Sequence, residues 1–151
     1  MIYFAYGANM ERAAMRRRCA AAEPLGPAVL RGWRYVIAQG YGSVAPAAGS
    51  HVFGVLWRLT PRDLAALNAF ESLDSGLYRR VMLTVEIGGQ RVRALVYVGQ
   101  RRGRRRPMPG YQERLVAAAQ EWRLPERYIA ELRRLAPGYR AARPAETGEI
   151  G

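Results

Sequence analysis

The chain has 151 residues, 50% of them hydrophobic and 24% charged, which matches one domain able to bury a core and excludes a disordered tail. No apolar run reaches the roughly 18 residues needed to span a bilayer, and the chain opens on a strand-like segment instead of a charged and apolar leader, so a cytoplasmic protein with no membrane partner is expected. Cys19 and His51 are the sole residues of their kinds, which excludes an internal disulfide and argues against a Cys/His zinc site or a Ser-His-Asp triad. Neither a metal nor a cofactor is expected, and any chemistry falls to carboxylates, hydroxyls and backbone groups.

The formal net charge of +12 points first to phosphate-bearing partners, because clustered cations gain affinity by releasing counterions. All 24 basic residues are Arg, however, beside abundant Ala, Gly and Pro, a bias expected of a GC-rich genome, so part of the charge is compositional. Its densest runs are residues 16–18 and 101–106, the second interrupted by Gly103 and closed by Pro107. Such runs usually form a solvated face; an anion-binding patch is the alternative.

In chain order, residues 2–6 (IYFAY) are short, aromatic and β-prone and end at Gly7, a strand running into a tight loop. Residues 10–19, rich in Ala, Met and Arg, predict a short helix with Met10, Ala14 and Arg17 to Arg18 along one face. Pro24, Gly26 and Pro27 are read as a break, 29–38 as a strand, and Gly40, Gly42 and Pro46 as loop positions. The apolar run 52–59 (VFGVLWRL) is a strand buried on both faces or lining a barrel. Thr60-Pro61-Arg62-Asp63 then carries an N-cap hydroxyl, Pro at the first helical position and an acid at the capping-box position. The helix it starts has Leu64, Leu67 and Phe70 on one face and stops near 71–76. Two β-rich runs, 78–87 and 92–98, are joined through Gly88-Gly89. Helices at 111–122 and 125–135 follow, and residues 137–151 read as a mobile tail. The fold class is α+β: a single domain over residues 1–136, its sheet mixed but mostly antiparallel and able to close into a small barrel, with helices around it.

Three features bear on chemistry. Tyr6-Gly7-Ala8-Asn9 follows the first strand, where small residues let backbone N–H groups converge on an anion and Asn9 offers an amide; an ordinary strand-to-helix turn with Asn9 as N-cap is the competing explanation. Glu71 ends an amphipathic helix, where an apolar wall would raise its pKa toward the working pH of a general base, and an exposed helix-end Glu is the competing explanation. Tyr3, Tyr6, Tyr78, Tyr97 and Tyr111 lie in or beside ordered elements, suited either to a pocket wall or to core packing.

The order of these features adds what none carries alone. The opening YFAYGANM resembles the YGSN-type loop of the gamma-glutamylcyclotransferase family. LNAFE at 67–71, followed by Gly76-Leu77-Tyr78, is similar to that family's stretch in which a helix-end Glu precedes a Tyr by seven residues. Val96-Tyr97-Val98, Pro109-Gly110-Tyr111 and Leu124-Pro125-Glu126-Arg127-Tyr128 match later family elements in order. The chain departs from the pattern at Ala8, where the family usually has Ser, and at Leu73 and Asp74, where a Gly-rich run is often found.

The resemblance implies an enzyme that releases 5-oxoproline from a gamma-glutamyl amino acid or amine by intramolecular aminolysis, within glutathione-type metabolism. It implies Glu71 as general acid and base, a substrate cradle formed by Tyr6, Gly7, Ala8, Asn9 and Met10, and pocket orientation by Tyr6, Tyr78, Tyr97 and Tyr111. The expected partner is a small gamma-glutamyl molecule bound by a monomer or homodimer. A cyclotransferase for gamma-glutamyl amines or for a biosynthetic gamma-glutamyl group is equally compatible with these residues. A nucleic-acid binder using the Arg runs on a silent scaffold is the reading from another class, and nucleic acid is not the favoured partner.

Overall fold

The computed structural model describes residues 1–71, 77–100 and 103–136; the tail read at 137–151 lies outside the described residues. The elements are β1 (Ile2–Ala5), a 3-10 turn (Ala8–Met10), α1 (Arg12–Arg18), β2 (Glu23–Ala38), β3 (Tyr41–Arg58), α2 (Pro61–Phe70), β4 (Tyr78–Ile87), β5 (Gln90–Gly99), α3 (Tyr111–Glu121) and α4 (Glu126–Arg134). The strands close a barrel in the order β1-β3-β2-β4-β5. Neighbours run antiparallel except β1 and β5, which pair in parallel at Tyr3 and Leu95. The α+β class and the mostly antiparallel barrel expected from the sequence are thus what forms.

Local signals explain several elements directly. Asp63 N–H donates to Thr60 Oγ1 at 3.2 Å and Thr60 N–H to Asp63 Oδ2 at 2.9 Å, a complete capping box with Pro61 beside it. Ile87 pairs with Gln90, and Gly88 and Gly89 take φ of 55° and 78°, the paired positive values of a tight hairpin turn. The run 52–59 is buried on both sides: Val52, Val55 and Leu56 are fully buried, Phe53 meets Tyr128 of α4 at 5.2 Å between ring centroids, and Trp57 meets Trp122 edge-on at 6.0 Å.

Other elements run longer than their local residues suggest. β2 starts at Glu23, not 29, and β3 at Tyr41, not 52. Pro24 and Pro27 do not break the strand, because they pair with Trp57 and Val55 across a register shift, while β2 meets β4 only at Val29 and Glu86. At that end the missing proline N–H groups cost no second ladder. Pro46 is likewise absorbed where the register shifts between Arg31 and Trp33. The Gly40 loop is a two-residue turn, Gln39-Gly40, with φ of 55° and 83° and Ala38 paired with Tyr41. The helix expected at 10–19 begins at Arg12, with a separate 3-10 turn before it.

Closure depends on how near β1 comes to β3. A Cβ on Gly54 would lie 2.3 Å from the Ala5 carbonyl oxygen and 2.8 Å from the Phe4 ring, so only glycine admits this approach. Gly54→Ala is expected to destabilise the fold by about 2–3 kcal/mol, more than the roughly 1 kcal/mol lost by Thr60→Ala through its cap. Parallel chemical denaturation curves of the two variants check this ranking.

Candidate active site

β1 delivers the chain to a turn in which Met10 N–H donates to the Gly7 carbonyl at 3.0 Å and Glu11 N–H to the Ala8 carbonyl at 3.2 Å. The loop is pinned from the barrel side by the Tyr6 phenol, which donates to the Tyr97 carbonyl of β5. From the helix side, the Trp122 indole donates to the Met10 carbonyl at 2.6 Å. Gly7 is glycine because a Cβ there would stand 2.9 Å from the Tyr111 hydroxyl; that phenol packs against bare backbone.

Opposite this loop, α2 ends at Glu71, whose N–H donates to the Leu67 carbonyl at 2.8 Å. Leu67 is fully buried and anchors the helix. Asn68, one turn before the helix end, accepts the Tyr97 phenol at 2.6 Å, tying α2 to the barrel. The Glu71 carboxyl is half-buried, and burial pushes its pKa up from 4.5 to about 7, while the Arg18 guanidinium pulls the other way. Removing a carboxylate from water disfavours its charged form.

The loop and Glu71 face a common cavity of about 390 Å³, the size of a small-molecule site. Tyr78, Tyr97 and Tyr111 wall it. Burial raises all three phenols, Tyr111 to about 12, so they stay protonated at neutral pH. Tyr78 donates to the Gly42 carbonyl at 3.2 Å, and Gly42 N–H donates to the Tyr111 oxygen at 3.0 Å. The tip of the β2–β3 hairpin is therefore held between two phenols. Ser43 fastens it to β5, accepting from Gly99 N–H at 2.9 Å.

Of the residues expected at the site, Tyr6, Gly7, Ala8, Asn9, Glu71, Tyr78, Tyr97 and Tyr111 all line this cavity. Met10 does not: it is fully buried in the core beneath α3, and its backbone carbonyl is taken by Trp122. Asn9 lines the cavity but is not a helix N-cap, a position held by Glu11. Its amide is engaged internally, Nδ2 donating to the Tyr3 phenol at 3.1 Å and Oδ1 accepting from Arg18. Phe70, expected on the core face of α2, is 44% exposed and lies under the Arg18 guanidinium at the cavity wall.

The sequence reading missed Arg18, Tyr41 and Arg114, all of which line the cavity. Arg18 was hidden in a run read as solvated, and Arg16 and Arg17 are exposed as such runs are. The signal that separates it is helical spacing, since Ala14 and Met15, four and three residues earlier, are buried. Tyr41 belongs to the unrecognised start of β3, and Arg114 carries no local mark. In the second run, residues 103–106 are exposed and Arg104 folds back onto the Arg106 carbonyl at 3.1 Å. Arg101 and Arg102 lie outside the described residues.

The family model for "Gamma-glutamyl cyclotransferase, AIG2-like" matches residues 3–124. The mouse and human gamma-glutamylcyclotransferases are 23% and 24% identical to this chain, each alignment covering 90% of it and 79% of the relative. Among solved structures, a gamma-glutamyl cyclotransferase superposes with a TM-score of 0.84 at 23% identity, covering 97% of this chain and 94% of its own. YkqA from Bacillus subtilis reaches 0.76 at 25% identity, over 89% of this chain and 53% of that one. The chain therefore belongs to the gamma-glutamyl cyclotransferase, AIG2-like family of cyclotransferase enzymes.

Proposed function

We propose that this protein releases 5-oxoproline from gamma-glutamyl compounds, with Glu71 shuttling protons from the attacking to the departing nitrogen. The observation that carries the reading is Glu71 itself: among the described residues lining the cavity it is the one carboxylate, and its pKa of about 7 lies at neutrality. A base is most effective when its pKa lies near the working pH.

In this reading the substrate's α-amino nitrogen attacks its own γ-carbonyl carbon, a C–N bond forms to close the ring, and the amide C–N bond to the leaving nitrogen breaks. Over the whole reaction the attacking nitrogen gives up two protons and the leaving nitrogen gains two. Glu71 carries them one at a time, accepting a proton from the attacking nitrogen and returning it to the departing nitrogen, first as the amine is freed to attack and again as the ring nitrogen becomes an amide. Holding the chain folded removes much of the entropic barrier to ring closure. Gly7, Ala8 and Asn9 present backbone to the α-carboxylate and the carbonyl oxygen; the absence of a hydroxyl at Ala8 leaves backbone groups as the donors there. Tyr111 accepts from Gly42 N–H through its oxygen and so fixes the hairpin tip at the pocket wall beside the loop. The nucleophile belongs to the substrate, so the protein needs no activated Ser or Cys.

Glu71→Gln is expected to keep the fold and abolish 5-oxoproline release from gamma-glutamyl amino acids; more than a few per cent of residual turnover would remove Glu71 from the mechanism. On the acid side, kcat/KM is expected to rise with pH through an apparent pKa of about 7, and a pH-rate profile locating that limb near 4.5 contradicts a buried base. The same shift has a stability consequence. Because the folded-state pKa is raised, the protonated carboxyl stabilises the fold below about pH 4.5, and this contribution is lost as pH rises through about 7. Thermal melts should therefore show Glu71→Gln equal to the parent near pH 4 and more stable by about 5 °C above pH 7.

A further inference from the structure

The cavity's electrostatics name a second recognition element. Its walls carry two guanidiniums, Arg18 and Arg114, and one carboxylate, Glu71. Arg114 is already neutralised, its Nη2 lying 2.9 Å from Glu11 Oε2. Arg18 makes no ion pair among the described residues; it donates one N–H to Asn9 Oδ1 and rests 3.7 Å from the centroid of the Phe70 ring. A guanidinium has five N–H donors in a planar fork suited to a carboxylate. Arg18 is partly withdrawn from water, and that burial lowers its pKa while Glu71 acts against the shift from beyond ion-pair distance, so its guanidinium keeps donors that no carboxylate among the described residues contacts.

Its position selects the ligand half that it would meet. Phe70 is 44% exposed, and with Tyr41 at 46% and Leu77 at 39% it supplies exposed apolar rings and chains to the cavity lining. The Asn9 contact lies on the buried side of Arg18 and the Phe70 contact on the exposed side. Arg18 thus spans from the loop proposed to hold the gamma-glutamyl unit to the rim over which the released half must pass.

On the reading of the site given above, we propose that Arg18 is the specificity-determining residue for the leaving half of the substrate, pairing with its carboxylate and favouring gamma-glutamyl amino acids over gamma-glutamyl amines. The substrate's ammonium then meets Glu71, its α-carboxylate meets the backbone loop, and its second carboxylate meets Arg18, one partner for each charge. The pairing also neutralises the cation that pulls Glu71 toward ionisation, so a bound amino-acid leaving group leaves Glu71 more basic than an amine does.

The test compares gamma-glutamyl-alanine with gamma-glutamyl-ethylamide, which differ by that carboxylate alone. The parent protein is expected to favour the alanine compound in kcat/KM by about 30-fold, the value of one charge-assisted hydrogen-bonded contact. Arg18→Met, which keeps an unbranched apolar side chain at this position, is expected to collapse this ratio mainly through KM, and Arg18→Lys to retain part of it. If Arg18→Met lowers turnover of both compounds equally, Arg18 merely positions Asn9 and the proposal is overturned. Binding measured by calorimetry in the inactive Glu71→Gln background separates this from the catalytic reading: Arg18→Met should weaken gamma-glutamyl-alanine about 30-fold more than the ethylamide, whether or not 5-oxoproline is formed. Equal weakening, or no binding of either compound, overturns it. Thermal melts of each variant establish that the comparison is made between folded proteins.

Discussion

The seating of β1 between β3 and β5 is the constraint on which the site depends. This strand of four residues is the one that closes the barrel, antiparallel to β3 on one side and parallel to β5 on the other. Phe4 is fully buried inside, and Gly54 permits the close approach. Because β1 is short, paired at every residue with β3 and bridged to β5 at Tyr3, the chain that leaves it has one direction to go, and residues 6–9 emerge at the barrel end where β5, the β2–β3 hairpin tip and the end of α2 converge. Tyr6 then locks that exit by bonding to the β5 backbone. Losing the seat of β1 would release the loop, not merely weaken a sheet.

Around that loop the protein builds a wall of neutral phenols. Phenols raised by burial hold their protons through the physiological range, and most of them are committed to backbone partners that keep the wall rigid. Such a surface presents polar oxygens without adding charge, which leaves Glu71 and Arg18 to set the electrostatics of the cavity. Their mutual influence is visible in Glu71, where burial raises the pKa and Arg18 opposes it. A carboxylate with a cation near it, but not paired to it, is poised to titrate instead of being locked in the ionised form.

The legible parts of the fold are those written in short-range interactions. The capping box at Thr60, the Gly88-Gly89 turn and the apolar run 52–59 each carry their instruction within a few residues. Glu71 was legible for the same reason, since a helix that starts at Pro61 and follows its apolar spacing runs out there. Pro24, Pro27 and Pro46 misled because a proline breaks a ladder only where a partner needs its N–H, and which partner lies alongside is a matter of sheet order. The Gln39-Gly40 turn was missed because Gln is an uncommon residue at a left-handed position, and the strands on either side impose the conformation. Met10 was read as part of the cradle from its place in the motif; the 3-10 turn rotates it into the core.

The sequence by itself determined the capped start of α2, one hairpin, the barrel-lining run and, through the order of its motifs, the family. Tertiary structure alone decided which residues share the cavity and what charge they carry there. Arg16, Arg17 and Arg18 are chemically identical, and only packing of α1 against the loop and α2 turns the third toward the cavity and leaves the others in water. The physical reason is range: capping and turn preferences act over one helical turn, whereas desolvation of Glu71 and the partners of Arg18 come from segments as far apart as β1, α1 and α2, brought together only when the barrel closes.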